Sequence, residues 1–299
     1  MIEIVRNPDI DFIGKRKYGF IFSAAIMVIS LLLIFVKGPN FGIDFTGGAL
    51  LQIKFSKAIT TADLRNSLAQ IGKERALIQS LGNEQREYII RAAEEKPVDF
   101  ARAVKNQLAA DFPENQQEIL REETVEPKIG KELLTRTLWA IILALVLILI
   151  YVSIRFDYRF GTAAVIALFH DALFTIGVLV LTQREISIVV VGALLTVIGY
   201  SINDSIVISD RIREKYKKMR KEPYNVILNT GLNASLSRTV LTVGTTLLAV
   251  IALLIFGGSV IEDFAFTLLV GFLIGTYSSV FILANIVSVW EEKFPKKRK

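Results

Sequence analysis

Three stretches of this sequence put ionisable or strongly polar side chains inside or beside long apolar runs. His170 and Asp171 sit in the middle of Thr162–Thr182. Asp204 lies near the end of Ile186–Ile208, in Gly199-Tyr200-Ser201-Ile202-Asn203-Asp204-Ser205, with Ser201, Asn203 and Ser205 around it. Arg238, in Ser235-Leu236-Ser237-Arg238-Thr239, stands just before Val240–Phe256. Ionisable groups at membrane depth are costly and mark ion or proton paths. A carboxylate beside an arginine can hold its charge in low dielectric, and an arriving proton neutralises it and loosens the pair. The runs that carry Asp204 and follow Arg238 go in opposite directions, so the spacing predicts an Asp204–Arg238 pair at one depth. That is the minimum hardware for a proton-coupled change of shape. The competing reading is a static ion pair that holds helices together, and His170 and Asp171 could equally bond a neighbouring helix. Gly192, Gly199, Gly271 and Gly275 read as small residues for helix packing. Ser278 and Ser279 read as interhelical hydrogen-bonding groups, and Asp210, Arg211 and Arg213 as markers of the membrane edge.

Other chemistries find little support. The chain has no cysteine, which removes disulfides, thiol catalysis and iron–sulfur clusters. A single histidine argues against a zinc site, which draws on several Cys and His ligands. No GxxxxGK[ST] occurs, so no P-loop is present. No nucleophile–base pair or metal cluster is visible, which makes an enzyme the weakest reading. No cofactor is expected, with protons as the coupling ion.

These polar groups must be positioned by membrane-spanning helices, each needing about 20 mostly apolar residues. The chain of 299 residues is 52% hydrophobic, and its apolar residues fall into six runs: 18–36, 138–154, 162–182, 186–208, 240–256 and 264–290. The first run is too long for a signal peptide, and no small-residue cleavage site follows it. Lys and Arg concentrate before the first run (Arg6, Lys15, Arg16, Lys17), after the second (Arg155, Arg159), in the basic loop 209–239 and in the tail 291–299. With six spans these segments share one side, and positively charged loops stay in the cytoplasm. Segment 1–17 and the tail, hence both termini, are predicted cytoplasmic. The turns Gln183–Glu185 and Gly257–Asp263, with one arginine between them, fall on the other side.

Residues 37–137 are long enough for a small extracytoplasmic domain. Acidic and basic residues balance within it, so the net charge of +6 resides in the cytoplasmic segments. That charge reads as topology plus attraction to anionic lipid; no aromatic interleaving supports a nucleic-acid partner. Leu51, Ile53 and Phe55 alternate along Ala49–Phe55, as in a half-buried strand. Thr61–Gly72 reads as a helix with Leu64, Leu68 and Ile71 on one stripe, capped by Thr60 or Thr61 and closed by Gly72. Ala76–Leu81 and Glu87–Ala93 read as strands about a Gly82-Asn83 turn. Pro97 opens a second helix with Phe100, Val104 and Leu108 on one face, and Gln117–Val125 is a last strand. This order is that of a ferredoxin-like α+β domain.

Asn40-Phe41-Gly42-Ile43-Asp44-Phe45-Thr46-Gly47-Gly48, directly after the first span, resembles the signature of the SecD/SecF family of protein-export membrane proteins, with Phe41, Gly42, Asp44, Gly47 and Gly48 as its motif residues. Gly199–Ser205, continuing to Asp210-Arg211-Ile212-Arg213-Glu214, resembles the SecF form of the fourth span; the SecD form carries a different Asp-Ala-Asn version. Ser237-Arg238-Thr239 and Gly275-Thr276-Tyr277-Ser278-Ser279 are similar to the same group. The resemblance covers nearly the whole chain, although the outer domain offers few positions to match. It implies an α-helical polytopic fold of the RND superfamily in the bacterial cytoplasmic membrane. It also implies a partnership with SecD beside the SecYEG channel, and use of the proton motive force to promote late-stage export of an unfolded polypeptide after ATP-driven translocation. Asp204 and Arg238 would then belong to the proton path. The alternatives are a half-unit of an RND-type exporter of small molecules or lipids, and a membrane sensor or assembly factor that transports nothing.

The predicted sidedness has a direct check. A cysteine at Asn83 should react with an impermeant thiol reagent in intact cells lacking an outer barrier, and one at Lys218 should react only once the membrane is opened. The reverse pattern contradicts the orientation.

Overall fold

The structure is a computed structural model describing residues 8–82 and 84–295. Arg6, Asn83 of the Gly82-Asn83 turn, and the tail lysines and arginine at 296–299 lie outside the described residues. The chain divides into two compact units, Phe41–Trp139 and the sequence flanking it on both sides.

The flanking unit opens with α1 (Arg16–Lys37), and the unit Phe41–Trp139 with a short helix, α2 (Ile43–Thr46). The latter continues with β1 (Gly48–Phe55), α3 (Thr61–Ala69), β2 (Leu77–Leu81), β3 (Glu87–Ala92), α4 (Pro97–Asp111) and β4 (Gln117–Val125). The four strands lie in the order β2-β3-β1-β4 with every neighbouring pair antiparallel. Thr60 caps α3 through a reciprocal capping box with Asp63, which satisfies donors that the first helical turn leaves orphaned. Pro97 occupies the first turn of α4, where a missing N–H costs nothing. Leu51, Ile53 and Phe55 of β1 pack with Tyr88 and Ile90 of β3, Leu64 and Leu68 of α3, and Phe100, Val104 and Leu108 of α4.

One expectation needs correcting here. β1 is not half-buried, because Leu50 and Gln52 on its other face are buried too. β1 is an inner strand flanked by β3 and β4, and the Gln52 amide is satisfied by donating to Glu87 Oε1 at 2.5 Å. The paired glycines after the first span have a geometric reason. Gly47 and Gly48 have φ of +74° and +128°. A Cβ on Gly47 would lie 2.5 Å from Pro127 Cα, and one on Gly48 would lie 2.1 Å from the Ala92 carbonyl oxygen. Only glycine meets both the backbone and the steric demand.

Among the described residues, six helices are long and apolar enough to cross a membrane: α1, α5 (Pro127–Arg155), α6 (Tyr158–Leu181), α7 (Ile188–Lys218), α8 (Tyr224–Phe256), and the composite of α9 (Ser259–Ser278), a π turn (Ser279–Leu283) and α10 (Ala284–Lys293). The segment 209–239, read from sequence as a loop, is helical except around residues 219–223. Buried Ile212 on α7 and Ile227, Leu228 and Leu232 on α8 keep an apolar stripe running past the membrane edge, and that stripe holds the helix while the basic residues stay on the outer faces. Phe12 and Ile13 join the same cluster. Asn229 and Asn233 of α8 fix this N-terminal stretch, accepting the Phe12 and Ile10 backbone N–H groups at 2.9 Å each. At the other end, Arg184, in the turn between α6 and α7, pairs with Glu262 at 2.8 Å and Asp263 at 2.5 Å at the start of α9.

Candidate functional site

The polar centre of the bundle is built around Asp171 of α6. Its side chain is fully buried, at 0% exposure. Oδ2 accepts hydrogen bonds from Ser201 Oγ of α7 and Ser278 Oγ at the end of α9, each at 2.7 Å. Oδ1 lies 3.2 Å from His170 Nδ1. One carboxylate therefore ties three helices together through hydroxyls. Burying such a group is tolerable when donors replace its hydration.

Small residues make the approach possible. A Cβ on Gly275 would lie 3.1 Å from Ser201 Cβ and 3.6 Å from Asp171 Oδ2, and one on Gly271 would meet Val197 at 2.2 Å. These glycines serve the packing read from the sequence. Gly192 and Gly199 do not, because a Cβ at either would meet nothing within 4 Å. Directly after Ser278 the helix switches to its π turn. Such turns insert a residue, shift the register of the helix beyond them and gather at functional sites.

Asp204 comes three residues after Ser201 and so lies on the same side of α7, one turn along. It is buried, and its Oδ1 accepts from Thr239 Oγ1 of α8 at 2.9 Å. Its Oδ2 has no hydrogen-bond partner among the described residues. The expected Asp204–Arg238 ion pair is absent. Successive helical residues point about 100° apart; Thr239 occupies the face of α8 that meets Asp204, which turns the exposed Arg238 away. Asn203 is likewise exposed. Of the residues singled out from sequence, the structure gathers His170, Asp171 and Ser201 around one carboxylate and leaves Asp204 a turn away. Arg238 makes no close ion pair but lies near enough to act on Asp204 electrostatically, and Asn203 is exposed. Phe41, Gly42, Asp44, Gly47 and Gly48 belong to the other unit, where they shape the chain entering β1.

Ser278, read from the sequence as an interhelical hydrogen-bonding group, is one: it donates to Asp171. Thr239, as the partner of Asp204, escapes a reading based on charge. Its signal was present as a hydroxyl beside an apolar run, which must find an acceptor. The hydroxyls can serve either state of the carboxylate with little movement. Ionised Asp171 accepts from both serines; protonated Asp171 donates to one of them, since a hydroxyl rotates to serve as donor or acceptor.

Two family models match. The one described as "Protein export membrane protein SecD/SecF, C-terminal" covers residues 104–293, and "SecD/SecF GG Motif" covers residues 32–59. The chain is 42% identical over 292 residues to the protein translocase subunit SecF of Calditerrivibrio nitroreducens, covering 96% of each chain. It is 43% identical over 282 residues to that of Magnetococcus marinus, covering 93% of this chain and 90% of the relative. A crystal structure of SecDF, a translocon-associated membrane protein from Thermus thermophilus, superposes with a TM-score of 0.84 at 38% identity, and a super-membrane-facing form of SecDF with 0.72. These matches cover 96% of this chain and 39% of the SecDF chain.

The hydroxyl contacts on Asp171 generate a prediction. Ser278→Ala leaves a buried acceptor short of a donor, at a cost of about 1–3 kcal/mol, read as lower thermal stability of the purified chain. In a double-mutant cycle with Asp171→Asn the effects should be non-additive, as expected of residues in contact. Additive effects contradict the contact.

Proposed function

The chain belongs to the SecD/SecF family of protein-export membrane proteins, as a multi-pass translocase subunit of the SecF kind, and from that premise we propose that proton movement through its helices drives its part in export. The observation that carries this reading is Asp204: a titratable group buried in the span with the family's characteristic sequence, bonded by the Thr239 hydroxyl and approached by that of Ser279, with one carboxylate oxygen that completes no hydrogen bond among the described residues. A merely structural carboxylate would be expected to have both oxygens satisfied.

The partner we propose is SecD. The Thr239–Asp204 contact puts Arg238 at about the depth of Asp204. Arg238 has no ion pair or side-chain hydrogen bond among the described residues, and neither does Asn203. An exposed arginine and asparagine at that depth call for a polar surface on another membrane protein rather than lipid. The Thermus thermophilus SecDF relative carries a region like this one within a longer chain, of which this chain covers 39%. A second membrane half carrying further ionisable groups would complete a path that two buried carboxylates only begin.

In this reading both termini are in the cytoplasm, the protein sits in the bacterial cytoplasmic membrane beside the SecYEG channel, and the unit Phe41–Trp139 works on the emerging polypeptide. No nucleotide is needed on that side. One charge crossing 100 mV releases about 2.3 kcal/mol, enough for a few protons to bias two states that differ by a few kcal/mol.

Asp204→Asn keeps size and hydrogen bonding but cannot titrate. In inverted vesicles it should abolish the stimulation of translocation by a proton gradient while ATP-driven translocation persists, with protein amount and SecD association unchanged. Full stimulation in this variant refutes the proton role of Asp204. Loss of activity in step with loss of protein or of SecD would make the residue structural.

A further inference from the structure

The end of the membrane unit that carries the basic segments holds a cavity of about 430 Å³, within the roughly 300–1,000 Å³ typical of small-ligand sites. We infer that this cavity binds the headgroup of an anionic phospholipid. It lies where α5 ends, α6 begins and α7 and α8 pass the membrane edge, so lipid is the ligand at hand. Its lining mixes apolar Phe156, Phe160 and Ile212 with Arg213, Tyr216 and Tyr224, and with Asp157, Arg159 and Glu291. That mixture suits an amphipathic ligand, and tyrosine with arginine suits the membrane interface.

The charges divide into spent and available. Arg159, buried at one wall, pairs with Glu291 and donates to the Phe294 carbonyl at 2.9 Å. Asp157 caps α6, accepting the Arg159 backbone N–H at 3.2 Å. These acids and this arginine hold the cavity's shape. Arg213 is exposed, and its one described contact is a 3.5 Å approach to the Arg155 carbonyl. Arg155 lies 5.1 Å over the Phe156 ring, at the same rim. Arg213 therefore remains available in the lining, with Arg155 beside it next to lining Phe156, and their planar forks match the oxygens of a phosphodiester. Neither takes part in the carboxylate network, so the site is independent of the proposed proton path.

The test is native mass spectrometry of the full chain in detergent, titrated with phosphatidylglycerol, phosphatidylcholine or inorganic phosphate. Phosphatidylglycerol should bind saturably and more tightly than phosphatidylcholine, and phosphate should not displace it. Arg213→Gln should weaken binding about fivefold, the contribution of one arginine at a membrane surface, with unchanged thermal stability in the absence of lipid. Lys217→Gln, which removes a charge outside the cavity, should leave binding unchanged. Equal effects of the two variants would reduce the attraction to general surface charge and overturn the site. The wild-type comparison decides without any variant: equal binding of the two lipids overturns the anionic preference, and displacement by phosphate makes this a free-anion site.

Discussion

The membrane unit depends on one costly act, the burial of the Asp171 carboxylate at 0% exposure among apolar helices. Without donors such a group costs far more than a domain's net stability can absorb. Serines on two other helices supply them at 2.7 Å, and each can do so only if the backbones come close. Gly275 allows that approach, and the π turn after Ser278 lets the rest of the span resume its own packing. Further contacts extend the arrangement: Tyr277 donates to the Gly19 carbonyl of α1 at 2.9 Å and lies 3.0 Å from Ser23 Oγ. Hydroxyls and glycines, with His170 beside Asp171, thus hold the centre of the bundle. Ion pairs sit at its two ends, through Arg184 at one and Arg159 and Arg16 at the other.

This division suits a device that must change state. A buried ion pair resists rearrangement because breaking it strands a charge. A hydroxyl can turn from donor to acceptor, so a carboxylate ringed by serine and threonine can take or lose a proton while the helices stay packed. Asp204, with Thr239 on one oxygen and the other completing no hydrogen bond among the described residues, is the less satisfied of the two carboxylates, and in the proposed reading it is the one that exchanges.

Much of this was legible in the sequence. The apolar runs marked all six membrane helices, because apolar length at that scale has few other uses. Alternation along Ala49–Phe55, the cap at Thr60 and the proline at residue 97 located the strands and helices of the smaller unit to within a few residues. Asp171, His170 and Ser201 stood out as polar groups in apolar surroundings. The geometry of contact was not legible. Arg238 invites pairing with Asp204 by charge and depth, yet a helical face is set by packing, and one residue of rotation presents Thr239 instead. The 209–239 segment looks like a loop by charge, but scattered apolar residues such as Ile212 and Leu228 hold it helical. Gly192 and Gly199 resemble Gly271 and Gly275 in sequence, and only the structure tells which meet a neighbour.

The central claim is that Asp204 exchanges a proton while the protein remains folded. Infrared difference spectroscopy of the reconstituted chain, stepped in pH, reads this directly through the carbonyl stretch of a protonated carboxyl in an apolar setting. The account predicts a reversible carboxyl band in the wild type that disappears in Asp204→Asn, with the amide bands of the helices unchanged. Identical difference spectra for the two proteins would contradict it.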